Sequence, residues 1–386
     1  MKPAIDFIVM GAGIIGLSAA IAVRQRGYTV VVLESGTLGP PKDNGNSRVY
    51  ALNQASQTLL QDLGVWDTLP PTCLAPYDRM HVWDTHGGAK IRFDARTLAR
   101  DRLGVILEET YLKEALLQQA QALEIDLVTQ WKTEHVETYD EGVTVRAADQ
   151  QWSAGYLIVA EGGRSSTRDL LRIPMTTWSY HQHAIVAKVA VEQPHMRTAY
   201  QAFCPQGPLA FLPLAEAHSC SIVWSTAVAH AETLMALSDE AFDHALTSAF
   251  EQTLGVTHLL SQRQVFPLQM RHVKQYAGSR WLLMGDAAHT IHPLAGLGLN
   301  LGLSDLAVFL QRLQRSQRPT ARDLRAYHRH RQHALWQMIL LMQGLHLLFT
   351  DTHLPIKMVR GLGLKICDQL PMIKRLLIAQ ASGVTA

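Results

Sequence analysis

Cysteine is scarce in this chain of 386 residues: four, at Cys73, Cys204, Cys220 and Cys367, with no C-x-x-C pair. That argues against a disulfide framework and a cysteine zinc site, and it fits a reducing compartment. An excess of one charge is also lacking. Thirty-five Lys and Arg face 33 Asp and Glu, a formal net charge of +2, so a nucleic-acid protein held by its field is not expected. There is no internal repeat, no low-complexity linker and no arginine-rich transit peptide. A long unbroken hydrophobic run is missing too. The nearest approach, Phe7 to Val23, is interrupted by Gly11, Gly13 and Gly16, and Arg24 and Arg26 follow it rather than precede it. A signal peptide or membrane span would read otherwise. Eighteen histidines are present but scattered; they read mostly as surface or core residues, and no metal site is expected.

What is present is apolar mass. Hydrophobic residues make up 47% of the chain, enough to bury a large core in two domains or one elaborated domain. Ile5 to Met10 reads as a strand, Ile14 to Arg26 as a helix and Thr29 to Leu33 as a second strand, a βαβ unit. Gly39 to Asn46 reads as a polar loop, and Tyr50 to Leu63 has helical spacing. Met80–Trp83 and Lys90–Phe93 flank a hairpin signal. Glu108 to Leu123 reads as a helix, followed by short strands up to Tyr156–Ala160. From about residue 178 to 228, alternating segments broken by Pro and Gly predict an antiparallel sheet. Asp239 to Leu254 reads as a helix, and α/β character returns after residue 280. The expected fold is α/β: a discontinuous Rossmann-like domain (1–75, 95–177 and 272–325), an inserted antiparallel-sheet domain (76–94 and 178–271) and a helical C-terminal segment (326–386).

Gly11-Ala12-Gly13-Ile14-Ile15-Gly16 is G-x-G-x-x-G between a strand and a helix, and Glu34 ends the next strand. Gly11 permits the turn, Gly13 lets backbone N–H groups approach a pyrophosphate, and Gly16 lets helix and strand pack closely. Glu34 can accept ribose hydroxyls. This motif alone does not separate FAD from NAD. A second stretch does: Gly285-Asp286-Ala287-Ala288-His289 follows an apolar strand, and Gly296-Leu297-Gly298-Leu299-Asn300 opens a helix. A long cofactor whose far end is held separately suits two such places. Asp286 can bond a ribitol hydroxyl, and the backbone at Gly298, Leu299 and Asn300 can approach pyrophosphate or flavin.

These residues, with Gly302-x-x-Asp305, Pro293, Arg48 and the segment Leu157 to Arg168, resemble the FAD-dependent aromatic hydroxylases, the single-component flavoprotein monooxygenases. The strands around Gly207–Leu214 and Phe266–Leu268 and the C-terminal Leu370-Pro371 region are most similar to the ubiquinone-biosynthesis hydroxylases. Two departures stand out: Glu161 where the family usually has Asp, and Leu297 where it often has Gln. The resemblance implies FAD as cofactor, with NAD(P)H and O2 as co-substrates. It implies ring hydroxylation of a polyprenylated phenol or quinol through a flavin C4a-hydroperoxide. It further implies Arg48 near the flavin, Pro293 and Gly298 as ring neighbours, and Arg164 and Arg168 as NAD(P)H contacts. Phe211, Pro213 and Trp224 are expected to line the substrate pocket. His181, His183, His289 and His292 are candidate bases by residue type only, and no base is assigned. The expected location is cytoplasmic, with a membrane surface, other ubiquinone-biosynthesis proteins or a second copy as potential partners. Basic residues among apolar ones from Lys357 on read as an interfacial helix or, equally, as a core or oligomer helix with a basic solvated face. Two alternatives remain: a flavin hydroxylase of a small soluble aromatic, and a non-catalytic flavin-fold binding protein.

Overall fold

The computed structural model describes residues 5–39, 48–85, 90–291, 297–313 and 318–350. Their α-helices are α1 (Ile14–Gln25), α2 (Gln54–Asp62), α3 (Glu109–Ala122), α4 (Ser166–Leu170), α5 (Val228–Ala236), α6 (Asp239–Ala249), α7 (Leu297–Arg312) and α8 (Ala321–Thr350). Three sheets organise them.

The first sheet runs Asp126–Val128, Val30–Leu33, Ile5–Met10, Gln150–Val159, Val143–Ala147, His135–Thr138, and Trp281–Leu283 also pairs with Gln150–Val159. Ile5–Met10 lies between parallel neighbours. Val30 to Leu33 is wholly buried, as expected of a parallel strand covered on both faces, where an unbroken apolar run replaces alternation. Helix α1 packs against α3 and α7, and α8 packs on α7.

The second sheet has nine strands. Its spine is Met175–Val191, paired antiparallel with Ser219–Ala227 and with Gln264–Val273. Gly207–Pro213, Thr198–Cys204, Arg79–Asp84 and Lys90–Asp94 extend it outward. One face is covered by α5 and α6, where Phe211, Trp224, Phe242 and Phe250 share a core. The third sheet joins Val49–Leu52, Gly104–Glu108 and Ala75–Tyr77.

Several expectations change. The helical spacing from Tyr50 to Leu63 resolves into the strand Val49–Leu52 followed by α2. Asn53 accounts for the break: its side chain accepts from the Ser56 N–H at 2.9 Å, an N-cap that starts the helix there. The helix expected to reach Leu254 ends at Ala249, and Glu251 and Gln252 adopt left-handed φ of 52° and 51°. The borders drawn at 177/178 and 271/272 fall inside the continuous strands Met175–Val191 and Gln264–Val273. Most of the Gly39–Asn46 loop, the turn at 86–89 and the segment after residue 350 lie outside the described residues.

Candidate active site

The site begins at the end of Ile5–Met10. Gly11 has φ +99°, and a Cβ there would fall 2.7 Å from the Ala160 carbonyl oxygen, so only glycine fits the turn. A Cβ on Gly16 would sit 1.9 Å from the Gly11 oxygen, which is the close helix–strand approach its spacing implied. A Cβ on Gly13 would meet nothing within 4 Å. Helix α1 starts at Gly13 with no side-chain cap, so no side chain satisfies its first N–H groups, an arrangement suited to an anion. Glu34 is fixed beside it. Oε2 accepts from the Ala12 N–H at 2.7 Å and Oε1 from the Gly36 N–H at 2.8 Å and the Ser35 hydroxyl at 3.3 Å, so Oε2 keeps a lone pair for a hydroxyl.

The second motif meets the first across this turn. Gly285 has φ +58°, and its N–H donates to Asp305 Oδ2 at 2.8 Å. Asp286 then points into the cleft, accessible to solvent there. The cleft walls nevertheless raise its carboxyl above the ordinary range, against the pull of His289 and Arg48. Behind it lies a buried ionic cluster. Asp305 pairs with Arg331 and accepts from His289 Nε2 at 2.8 Å, and all three side chains are at most 2% exposed. Burial alone would raise the Asp305 carboxyl; Arg331 and His289 beside it hold it below the ordinary range. Arg331 is also anchored on Ser304 Oγ at 3.1 Å. Sequence reasoning missed Arg331 altogether and gave Asp305 no task.

A cavity of about 560 Å³ joins these elements to the open face of the second sheet. Gly11, Gly13, Glu34, Arg48, Asp286, Gly298 and Leu299 all line it. A Cβ on Gly298 would meet nothing within 4 Å, so the backbone there is unobstructed. Arg48 lies 5.5 Å from the Phe266 ring centroid and is bonded to the Tyr50 hydroxyl. Glu109 and Lys113, one turn apart on α3, also line the cavity and were not singled out from sequence. Their i,i+4 spacing beside the glycine turn was the available signal.

Several expectations need correction. Phe211, Pro213 and Trp224 do not line the cavity; their neighbours Ala210, Leu212, Val223 and Ser225 do. Phe211 stacks on Phe250 at 3.8 Å on the opposite face, because side chains alternate along a strand and a one-residue error exchanges the faces. Arg168 is 5% exposed and donates to the carbonyls of Gly163 and Ala287, so it ties two loops together instead of facing a nucleotide phosphate. Arg164 is exposed. Asn300 was assigned through its backbone, which these contacts leave untouched; its side chain turns inward, donating to the Ala51 carbonyl at 2.7 Å and accepting from the Asn53 N–H and the Ser56 hydroxyl. His289 is buried on Asp305, and neither His181 nor His183 is a lining residue. Pro293 and His292 lie outside the described residues. Glu161 accepts from Ser165, Thr167 and Ser166, so the longer acid organises the start of α4. Among the described residues no group of His, Cys, Asp and Glu could hold a metal ion.

The unobstructed glycines, the uncapped α1 start and two carboxylates spaced along one cleft fit a dinucleotide with a second long arm. Comparison with known proteins agrees. A family model described as FAD binding domain matches residues 4–341. The chain is 30% identical to the mitochondrial ubiquinone biosynthesis monooxygenase COQ6 of Danio rerio, over 98% of this chain and 89% of that one. It is 29% identical to the 3-demethoxyubiquinol 3-hydroxylase of Escherichia coli (strain K12), over 98% of both. The solved structure of p-nitrophenol 4-monooxygenase PnpA from Pseudomonas putida DLL-E4 superposes with a TM-score of 0.81 at 17% identity, covering 100% of both chains, which is a likeness of fold.

Proposed function

This chain belongs to the FAD-binding-domain family of monooxygenases that includes the ubiquinone-biosynthesis hydroxylases, and from that premise we propose that it hydroxylates the ring of a polyprenylated phenol or quinol. The observation that carries the proposal is the single cavity running from the glycine cradle to an apolar sheet face. Bound FAD supplies the redox chemistry, accepting electrons from NAD(P)H and passing oxygen from O2 to the ring. Every other part falls to the chain. Glu34 binds the ribose hydroxyls, the α1 N–H groups and Lys113 offset the pyrophosphate charge, and Asp286 holds a ribitol hydroxyl. The backbone of Gly298 and Leu299, with Arg48 across the cavity, would hold the isoalloxazine ring. Arg164 is the exposed cation available to NAD(P)H.

The sheet face positions the acceptor ring and excludes water. Ala184, Val186, Ala210, Leu212, Val223 and Phe266 make its floor, with Gln201, Gln264 and Ser225 as polar contacts. Among the described lining residues the cations are Arg48 and Lys113 alone, and both serve the cofactor. A soluble aromatic acid would need a further one, so an uncharged polyprenylated ring suits this floor better. Such a substrate resides in a membrane, which makes a peripheral location part of the proposal. The test is the intermediate that accumulates when the gene is deleted. A polyprenylated phenol or quinol lacking one ring hydroxyl is expected. Accumulation of a small soluble aromatic, with ubiquinone unaffected, would favour a flavin hydroxylase of such a compound and overturn this reading.

A further inference from the structure

Helix α8 has two faces that the reaction does not use equally. Its inner face buries Leu324, Tyr327, Arg331 and Leu335. Its outer face carries Arg322, Arg325, Arg329, His333 and Trp336, all exposed. Steps of three and four residues place these five on one stripe along the helix. Asp323 is the only carboxylate of the helix, and it is engaged by the N–H and hydroxyl of Thr320. Among the described residues no ion pair involves Arg322, Arg325 or Arg329.

Aromatic surface accompanies this charge. Trp336 is 48% exposed and Trp178 60% exposed, unusual for so large a side chain. Trp336 packs on the His272 ring at 5.5 Å, and His272 pairs with Thr176, which shares a strand face with Trp178. Thr176, His272, Lys274, Leu335 and Trp336 line a recess of about 330 Å³, with Lys274 exposed at its edge. Further along the same helix, residues 338–350 contain no Asp, Glu, Lys or Arg. No helix of the described residues is long and apolar enough to cross a membrane.

We infer that the outer stripe of α8, together with Trp178, Trp336 and Lys274, is a docking surface for an anionic phospholipid bilayer. Exposed arginines with no ion pair among the described residues complement anionic headgroups, and tryptophan favours the boundary between headgroup and acyl chain. A helix that is basic in one half and uncharged in the other suits the interface plane. A nucleic acid would use the arginines but not the uncharged half. The choice of a membrane partner follows from the proposed polyprenylated substrate, but the surface stands on its own charge and exposure, and vesicle binding is measured without turnover.

The test uses the full-length, FAD-loaded protein in flotation with vesicles of phosphatidylcholine alone and of phosphatidylcholine with phosphatidylglycerol. The wild type should bind the anionic vesicles more tightly, and increasing salt should release it. At roughly fivefold per cation, the triple variant Arg322→Gln/Arg325→Gln/Arg329→Gln should bind anionic vesicles about a hundredfold more weakly, with FAD content unchanged. The corresponding triple Arg→Lys variant should bind as the wild type does. Should the Gln variant lose FAD or fail to fold, salt release of the wild type and a blue shift of tryptophan emission lost in Trp336→Ser carry the test. Equal flotation of wild type and the folded Gln variant would overturn the assignment, as would a wild type that ignores anionic lipid. Loss of hydroxylation on a detergent-dispersed substrate, with vesicle binding intact, would count against the proposed reaction and leave this surface standing.

Discussion

Replacing Asp305 by Asn removes one negative charge and almost no volume from the most enclosed part of the site. Asp305 is fully buried and holds three partners: the Gly285 N–H, the His289 ring and the Arg331 guanidinium. In the variant Arg331, itself 2% exposed, faces a neutral amide. Stranding a buried charge in this way costs about 3–5 kcal/mol. In a chain of this size that is about 6–10 °C of melting temperature, taking roughly 2 °C per kcal/mol. The pH dependence has a definite sign. The folded carboxyl lies below its ordinary value, so its stabilisation is fully present above the unfolded pKa of about 4 and is lost as pH falls through the folded value. The wild type should therefore lose stability in acid over a range that the variant lacks. FAD affinity should fall as well, because the one carbonyl oxygen of Asn cannot accept from both the Gly285 turn that presents Asp286 and the Arg331 guanidinium. Thermal melts by circular dichroism between pH 3 and 7, with FAD titration by fluorescence, measure all three effects. A double variant, Asp305→Leu with Arg331→Met, should recover part of the loss, since it removes the stranded charge. An Asn variant that melts within a degree of wild type and keeps its FAD would refute the claim that this cluster holds the flavin loop.

Ala210→Trp should raise the KM for the aromatic substrate or abolish turnover with little change in melting, because Ala210 lines the cavity. Phe211→Ala should do the reverse, costing about 3–5 kcal/mol of stability while KM holds; the opposite pattern would restore the original choice of face. Glu34→Ala should weaken FAD binding about ten- to a hundredfold, for a loss of roughly 1.5–3 kcal/mol of hydrogen bonding to a charged acceptor, and unchanged affinity by titration would remove Glu34 from the cofactor site. Gly298→Val should block flavin binding while α-helical circular dichroism persists, since the space a side chain would fill is the open side of the cavity; normal FAD content and turnover would place this backbone away from the ring.

The cofactor half of the site was legible because glycine spacing and strand-end carboxylates are local signals. Gly11 makes the turn and Gly16 the close helix–strand approach that their spacing implies, and Glu34 is fixed beside them. Asp286 and Gly298 could be placed in one cleft with them because each ends or opens an element whose period is visible. The substrate half was less legible. Along Gly207–Pro213 both faces are apolar, so alternation carried no mark of which face meets the cavity and which meets α6; Phe211 and Ala210 are distinguished only by what packs on them. The Arg168 side chain was misread, and the tasks of the Asn300 and Arg331 side chains were missed, for another reason. Their partners lie far away in sequence, at Ala287, Ala51 and Asp305, and no spacing rule reports such contacts. The strand before α2 was hidden by a helical pattern that Asn53 interrupts.

Oxygen transfer to a polyprenylated ring in the cavity between the glycine cradle and the second sheet can be read by supplying the purified, FAD-loaded protein with NAD(P)H, a short-chain prenylated phenol and isotopically labelled O2, and analysing the product by mass spectrometry. One labelled oxygen atom should appear on the ring for each NAD(P)H consumed, and Ala210→Trp should lose that product with FAD still bound. Substrate-independent NAD(P)H oxidation, or a ring product without the label, would contradict it.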